Sequence, residues 1–187
     1  MAQPYDMPLE ELKKYKPDLT RQPDFEEFWE KSLKQLSNTP PGYELTPYDY
    51  PVRGVKVYSI SYGGFENANI DGWLAIPEGS GPHPGLVMFH GYNWAYDGNL
   101  HETVNWALKG YASMQMLVRG QQGKSVDNVI SSAGFTVGWM TKGILSPDEY
   151  YYRAVYLDAV RAVEVLASIP QVDKSRVGVM GADCCTN

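Results

Sequence analysis

The sequence contains little cysteine: only two of its 187 residues are cysteines, and they are adjacent, Cys184 and Cys185. Two adjacent cysteines cannot build a disulfide framework, and the Cys-x-x-Cys spacing of many metal sites is absent. Positive charge is also scarce, because 22 acidic residues outnumber 16 basic ones and give a formal net charge of -6. No basic cluster offsets this excess, which argues against a general attraction to nucleic acid or to anionic membranes.

Long apolar runs are missing as well. No stretch approaches the roughly 18 residues that a membrane-spanning helix needs, and residues 1–14 contain no apolar segment of the signal-peptide type. From this we expect a cytoplasmic protein. Apolar and aromatic residues are nevertheless plentiful, at 43% and 13% of the chain, so the chain can bury the core of a single domain.

Strand and helix patterns alternate through the middle of the chain. Residues 55–62 and 70–76 alternate with a period of two around a glycine pair, which predicts an antiparallel hairpin. Residues 85–89 form a continuous apolar run, typical of a strand buried on both faces. A predicted helix over residues 99–108 and a strand over residues 111–118 follow, which together make a βαβ pattern with parallel strands.

Two helices carry start signals. Asp24 and Glu27 have the spacing of a capping box. The predicted apolar face of the helix that follows contains Phe25, Phe28, Trp29, Leu33 and Leu36. In the second helix, Ser146 is the predicted cap, Pro147 occupies the first turn, and Glu149 reaches back to the cap.

The second helix is long and amphipathic. Its apolar stripe contains Tyr152, Val155, Tyr156, Ala159, Val163 and Leu166. Its charged residues are expected elsewhere around the helix: Arg153, Asp158, Arg161 and Glu164. The run Tyr150-Tyr151-Tyr152 is interpreted as packing rather than as a cofactor site. The helix leads into a short apolar strand over residues 176–180.

The residues after this strand occupy the place where an α/β hydrolase holds its nucleophile. Such a strand-to-helix turn is normally written Gly-x-Ser-x-Gly. Here the same register reads Gly181-Ala182-Asp183-Cys184-Cys185, so an aspartate stands at the serine position.

The segment from Arg119 to Ser125 ends in Gly-Lys-Ser, which invites comparison with a phosphate-binding loop. That loop requires a glycine where this sequence has Val118, so the spacing argues against nucleotide binding. We instead expect Arg119 to tie neighbouring loops together through its planar guanidinium group.

Several motifs together resemble the acetyl xylan esterase and cephalosporin C deacetylase family of α/β hydrolases. Two of them are His90-Gly91-Tyr92-Asn93 and Leu117-Val118-Arg119-Gly120-Gln121. Further matching segments are residues 15–17, 24–29, 50–58, 104–108, 138–145 and 150–165. The resemblance covers nearly the whole length of the chain.

The resemblance implies a truncated α/β hydrolase: a mostly parallel sheet flanked by helices, with an N-terminal antiparallel hairpin and a helical arm. We expect one domain over residues 1–187, with the arm in residues 1–42 and an incomplete hydrolase core in residues 43–187. The implied activity is hydrolysis of acetyl esters on small or oligomeric carbohydrates and of related compounds such as cephalosporin C. No metal or organic cofactor is implied, and family members assemble as hexamers.

The resemblance also assigns roles to individual residues. The backbone N–H groups of Tyr92 and Cys184 match the oxyanion donors, while Asp183 takes the nucleophile position. His90, Gly91 and Arg119 are expected to support the loops, since the catalytic histidine of such enzymes follows the nucleophile in sequence.

Three interpretations remain open for the missing serine. In the first, the chain is severely impaired as an esterase, because no acid or histidine follows the nucleophile position. In the second, Asp183 or one of the thiols of Cys184 and Cys185 acts as a different nucleophile. In the third, the chain is a non-catalytic scaffold or oligomerisation module whose open strand edges favour self-association.

Overall fold

The computed structural model describes residues 7–93, 99–121, 123–132 and 138–181. The helices are α1 (Leu9–Leu12), α2 (Phe25–Leu36), α3 (Leu100–Leu108) and α4 (Tyr151–Ser168). The strands are β1 (Tyr43–Pro47), β2 (Val55–Gly63), β3 (Asn69–Pro77), β4 (His83–Phe89), β5 (Ala112–Met116) and β6 (Val172–Gly181). Two short 3-10 turns cover Phe65–Asn67 and Trp139–Thr141. Within the described ranges, none of the helices combines the length and apolar character needed to cross a membrane.

All six strands form one mixed sheet in the order β1-β2-β3-β5-β4-β6. The predicted hairpin is confirmed, since β2 pairs antiparallel with β3. The predicted βαβ unit is also confirmed, because β4 and β5 are parallel neighbours joined through α3. The antiparallel part is larger than the hairpin, because β1 with β2 and β3 with β5 are antiparallel too. The described sheet is thus mixed, with three antiparallel and two parallel pairings, and is not mostly parallel as the resemblance implied; the α/β class with flanking helices is confirmed.

Helices cover the two faces of the sheet and bury most of its apolar side chains. On one face, Leu100, Val104 and Ala107 of α3 pack with Val57 and Ala75. On the other face, buried residues of α4 pack against the central strands, and its half-buried Tyr156, Ala159 and Val163 join the same cluster. Burying an aliphatic side chain contributes about 1.5–3 kcal/mol, so these two layers supply the main driving force for folding.

The predicted start of α4 is wrong by four residues, because the cap position is Tyr150 and not Ser146. Helix α4 begins at Tyr151, and Tyr150 before it has an extended backbone. Ser146 and Glu149 form only an isolated turn, in which the Glu149 N–H donates to the Ser146 carbonyl oxygen. The Glu149 carboxylate accepts hydrogen bonds from the backbone N–H and the hydroxyl of Ser132, so a loop contact replaces the predicted capping box.

Helix α2 begins after Asp24 as predicted, but the side chain of Asp24 makes no capping hydrogen bond. Its apolar face is divided between the interior and the solvent. Leu36 is buried, whereas Phe25 and Leu33 are 42% and 43% exposed. Trp29 contacts Tyr156 of α4, with 6.1 Å between ring centroids, and so anchors α2 to the sheet layer.

The charged residues of α4 contradict the amphipathic prediction. Arg153, Asp158 and Arg161 are all buried, at 4%, 0% and 2% exposure, and only Glu164 of the predicted polar face is exposed. Arg161 donates to the carbonyl oxygen of Leu36, and the Arg153 guanidinium lies between the rings of Phe28 and Phe65. These cations are buried because α2 and the turn after β2 cover them and supply partners.

Candidate active site

The parallel strands bring three chain segments to one edge of the sheet. Phe89, the last residue of β4, pairs with Met116 at the end of β5 and with Gly181 at the end of β6. The segments after these strands therefore leave the sheet level with one another. In α/β proteins, ligands bind in the crevice outside the carboxyl ends of the strands. Asp183 and Cys184 follow β6 directly but lie outside the described residues.

His90 joins the segment after β4 to the segment after β5. Its Nδ1 lies 2.8 Å from the carbonyl oxygen of Gly91, and its Nε2 lies 2.9 Å from the backbone nitrogen of Val118. A backbone N–H can only donate, so Nε2 accepts and the ring proton is on Nδ1. Burial lowers the pKa of His90, although the hydrogen bond to Gly91 opposes this shift. The neutral imidazole is thus engaged with backbone groups at both nitrogens.

The backbone around Tyr92 is held from two sides. The Tyr92 hydroxyl oxygen accepts a hydrogen bond of 3.1 Å from the backbone N–H of Trp139. The backbone N–H of Asn93 donates to Oε1 of the buried Gln121 at 2.7 Å. Asn93 has a left-handed backbone with φ of 47°, a conformation that asparagine tolerates better than most residues. A backbone amide that binds an oxyanion must be fixed before the reaction, and these contacts restrict the loop that carries it.

Arg119 is fully buried and has no exposed side-chain surface. Its Nε and Nη2 donate to the two carboxylate oxygens of Asp158 at 2.6 and 2.8 Å. Nη2 also donates to the carbonyl oxygen of Phe65 at 3.0 Å. Burial acts to lower the pKa of Arg119, but the hydrogen bonds and charges of Asp158 and, to a smaller extent, of Asp127 outweigh burial and raise it. This two-point pairing compensates two charges that are otherwise costly to bury.

Close packing around Asp158 extends the network to the turn after β2. The backbone N–H of Phe65 donates to Asp158 Oδ1 at 2.8 Å. A Cβ atom at Gly64 would lie 2.4 Å from the same oxygen, so only glycine fits there without displacement. The Arg119 carbonyl oxygen accepts a 2.5 Å hydrogen bond from the Tyr151 hydroxyl. Helix α4, the β2–β3 turn and the segment after β5 are therefore joined through one arginine.

Ser125 fixes the far end of this segment. Its hydroxyl donates to the Leu117 carbonyl oxygen at 2.6 Å and accepts from the Asp71 backbone N–H at 2.9 Å. The serine of the Gly-Lys-Ser sequence thus bridges β3 and the end of β5. This internal contact explains the residue without a bound phosphate.

The predicted site residues His90, Gly91, Tyr92 and Arg119 all follow β4 or β5 and lie at one edge of the sheet. Among the described residues, no group of three His, Cys, Asp or Glu side chains could hold a metal ion. Sequence reasoning missed Gln121 and Asp158. Gln121 could have been found from the sequence, because it belongs to the motif around Arg119. Asp158 gave no such signal, because it looked like an ordinary polar position on an amphipathic helix.

The sequence and the fold are both similar to those of known acetyl xylan esterases. The acetyl xylan esterase (AXE1) family profile matches residues 1–185. The acetyl xylan esterase from Paenibacillus sp. R4 is 38% identical with a TM-score of 0.87, covering 94% of this chain and 56% of its own. Acetyl xylan esterase 1 from Thermoanaerobacterium sp. JW/SL YS485 is 30% identical with a TM-score of 0.87, covering 95% of this chain and 56% of its own.

A curated relative shows the same similarity at lower identity. Acetyl esterase Axe7A of Xylanibacter ruminicola is 25% identical over 171 residues, which cover 89% of this chain and 39% of that protein. This chain thus spans 39% of that relative's length and 56% of each of the two solved esterases. The family match over nearly the whole sequence, together with the shared fold, shows that the chain belongs to the acetyl xylan esterase (AXE1) family of carboxylic ester hydrolases.

Proposed function

We propose that this chain forms the oxyanion-binding side of an acetyl ester hydrolase. The substrates we propose are acetylated xylo-oligosaccharides and similar small acetyl esters, including cephalosporin C. The observation that carries the proposal is the restrained loop at Tyr92, which follows β4 and therefore leaves the sheet next to the end of β6. The Trp139 N–H and the Gln121 side chain hold this loop by hydrogen bonds. A backbone N–H held in this way can stabilise the oxyanion of a tetrahedral intermediate, which is commonly a large term in acyl transfer.

The complete reaction needs groups that this sequence does not place after β6. In a serine esterase, the serine attacks the acetyl carbonyl and a histidine, oriented by an acid, takes its proton. The nucleophile position here holds Asp183, with the Cys184 amide as the proposed second oxyanion donor. The three histidines, His83, His90 and His101, all precede that position. We therefore propose that the chain by itself is severely impaired as an esterase.

The test is hydrolysis of p-nitrophenyl acetate by the purified chain, with the intact mass determined on the same sample. The expected result is a rate indistinguishable from buffer at a mass of 21.0 kDa. Turnover at that mass, lost on heat denaturation, would overturn the proposed impairment. Its response to cysteine alkylation would then distinguish a thiol nucleophile from Asp183. Turnover found only in a larger species would trace the activity to a serine outside this sequence.

A second candidate function is an oligomerisation module, favoured by the outer edge of β6. Within the described part of the chain, β6 pairs only with β4. Its Val179 is 62% exposed, and a Cβ atom at Gly178 would meet nothing within 4 Å. An open strand edge with apolar side chains favours self-association, and the hexamers implied by family resemblance would be consistent with it. Light scattering tests this function, and a monodisperse monomer would contradict it.

A further inference from the structure

The face of the sheet beneath α3 changes from apolar to polar along its strands. Val57 of β2 and Ala75 of β3 belong to the apolar cluster under α3. Side chains alternate between faces, so the next position on this face is Ser59 in β2 and Trp73 in the antiparallel strand β3. The position after Trp73 in the same row of β3 is Asp71. Ser59 is directly opposite Trp73 in the register. Polar side chains at positions that continue a core-facing row call for a partner or a function.

A small cavity opens where this change occurs. Its volume is about 110 Å³, and its walls include Ser59, Asp71, Trp73 and, from the segment after β5, Lys124. Asp71 is only 9% exposed, and its carboxylate accepts a hydrogen bond of 3.2 Å from the Asn69 side-chain amide. Trp73 is half-buried and held edge-to-face against Tyr48, with 4.9 Å between ring centroids. The cavity therefore combines a fixed aromatic side chain with an anionic acceptor and a cationic donor.

The cavity is attached to the candidate active site. The Leu117 backbone N–H donates to the Asp71 carbonyl oxygen, and Leu117 precedes Arg119 by two residues in the same segment. Strand β3 is separated from β4 by β5 alone. Two inter-strand spacings, about 10 Å, thus separate the strand carrying Asp71 from the strand that leads to Tyr92. A short oligosaccharide can span that distance.

We propose that this cavity binds one unacetylated sugar unit of an oligosaccharide whose acetylated unit lies at the Tyr92 loop. The apolar face of the sugar packs against the Trp73 ring. One sugar hydroxyl donates to the Asp71 carboxylate, and the Lys124 ammonium group donates to a neighbouring hydroxyl oxygen. A neutral polyhydroxylated ring fits both charges, whereas an anion is disfavoured by Asp71 and a cation by Lys124. This inference rests on the proposed function for the identity of the ligand.

The experiment measures binding and requires no catalysis. The full chain is titrated with xylotriose, and the tryptophan indole resonances are followed by NMR. The Trp73 resonance is expected to shift saturably. Replacing Asp71 by Asn keeps the size but removes the charge, and is expected to weaken binding about tenfold. Trp73→Phe is expected to weaken binding at least about threefold.

Matched controls separate binding from folding. Trp106→Phe and Asp49→Asn change the same residue types at positions that do not line the cavity, and both are expected to bind xylotriose like the unmodified chain. Lys124→Ala alters an exposed wall residue and tests the cavity even if the Asp71 variant fails to fold.

The outcomes are separable from those of the esterase assay. No saturable binding of xylotriose, or binding that Asp71→Asn, Trp73→Phe and Lys124→Ala all leave unchanged, overturns the sugar site. Hydrolysis of p-nitrophenyl acetate, which contains no sugar, tests the proposed function separately. Binding without hydrolysis supports the sugar site and leaves the proposed impairment intact.

Discussion

The segment around Arg119 and the outer edge of β6 reverse the usual distribution of charge and apolar surface. Arg119 and Asp158 are charged but have no exposed surface, whereas Val179 is apolar and 62% exposed. The difference lies in the partners that tertiary structure brings to each position. The arginine meets a carboxylate and a carbonyl oxygen, while β6 has a described neighbour on one side only. Burial here is decided by what surrounds a residue, and residue type alone is a poor guide.

The largest effect is expected from Asp158→Ala, which removes the carboxylate that pairs with the buried Arg119 guanidinium at two points and leaves only the longer 3.4 Å pair with Asp127. Breaking one partner of a buried ion pair costs about 3–5 kcal/mol. Urea denaturation should therefore show a loss of that size in the free energy of unfolding. The control is Glu10→Ala, whose exposed pair with Lys13 contributes at most about 1 kcal/mol. Similar small losses for both variants would contradict the role of the buried network.

A smaller difference in stability is expected between substitutions of two glycines, Gly64 beside the Arg119–Asp158 pair and Gly178 on the outer edge of β6. Gly64→Ala places a Cβ atom 2.4 Å from Asp158 Oδ1 and 2.5 Å from Ile70, so the network must shift. Such overpacking typically costs about 1–3 kcal/mol. Gly178→Ala on β6 meets open space and is expected to change the free energy of unfolding by less than about 0.5 kcal/mol. Equal melting temperatures for the two variants would be inconsistent with the described packing.

The third prediction concerns pH and compares His90 with the exposed His101. Burial lowers the pKa of His90 in the folded chain from 6.5, so the unfolded chain binds a proton first as pH falls. His90 therefore contributes stability above about pH 6.5 that is lost as pH falls through its lower folded pKa.

Chemical denaturation between pH 7.5 and 5 measures this dependence. His90→Gln should remove part of the pH dependence in that window, although its stability is lower throughout. His101→Gln should retain the slope of the unmodified chain. A slope that His90→Gln leaves unchanged would exclude His90 as its source.

The smallest change in stability is expected at the β6 edge. Val179→Lys removes exposed apolar surface and should alter the free energy of unfolding by less than about 0.5 kcal/mol. It should nevertheless reduce self-association, because an inserted charge protects a strand edge. Light scattering at several concentrations measures this, with Val126→Lys as the control at a residue that is 53% exposed. Equal effects of the two lysines would assign association to general surface hydrophobicity.

Local patterns in the sequence predicted the elements well where burial follows a simple period. The alternation in β2 and β3 and the apolar run of β4 identified strands and a hairpin that the structure confirms. Patterns in which a side chain has more than one possible hydrogen-bond partner gave a wrong helix start. Glu149 has the spacing of a capping residue, yet Ser132 is its hydrogen-bond partner and α4 starts later. A sequence separation of 17 residues hides that contact from any local rule.

The residues of the candidate site also fall into two groups, those that the sequence motifs indicated and those that only the structure revealed. The motifs containing Tyr92 and Arg119 were visible in the sequence, and parallel pairing of β4, β5 and β6 explains why their segments share one edge. The assignments of Asp183 and Cys184 remain predictions, as do the cytoplasmic location and the hexamer. The partners Gln121 and Asp158 became evident only when the loops and α4 were brought together.

The sequence by itself determined the alternating strands, the βαβ unit and the family, because these depend on local order along the chain. Only the tertiary structure decided which charges are buried, which glycines are obligatory and where the Ser59–Asp71–Trp73 cavity opens. Those properties depend on atoms from elements distant in sequence. The cost of burying Arg119 is offset by Asp158, which lies 39 residues away in sequence and supplies its carboxylate.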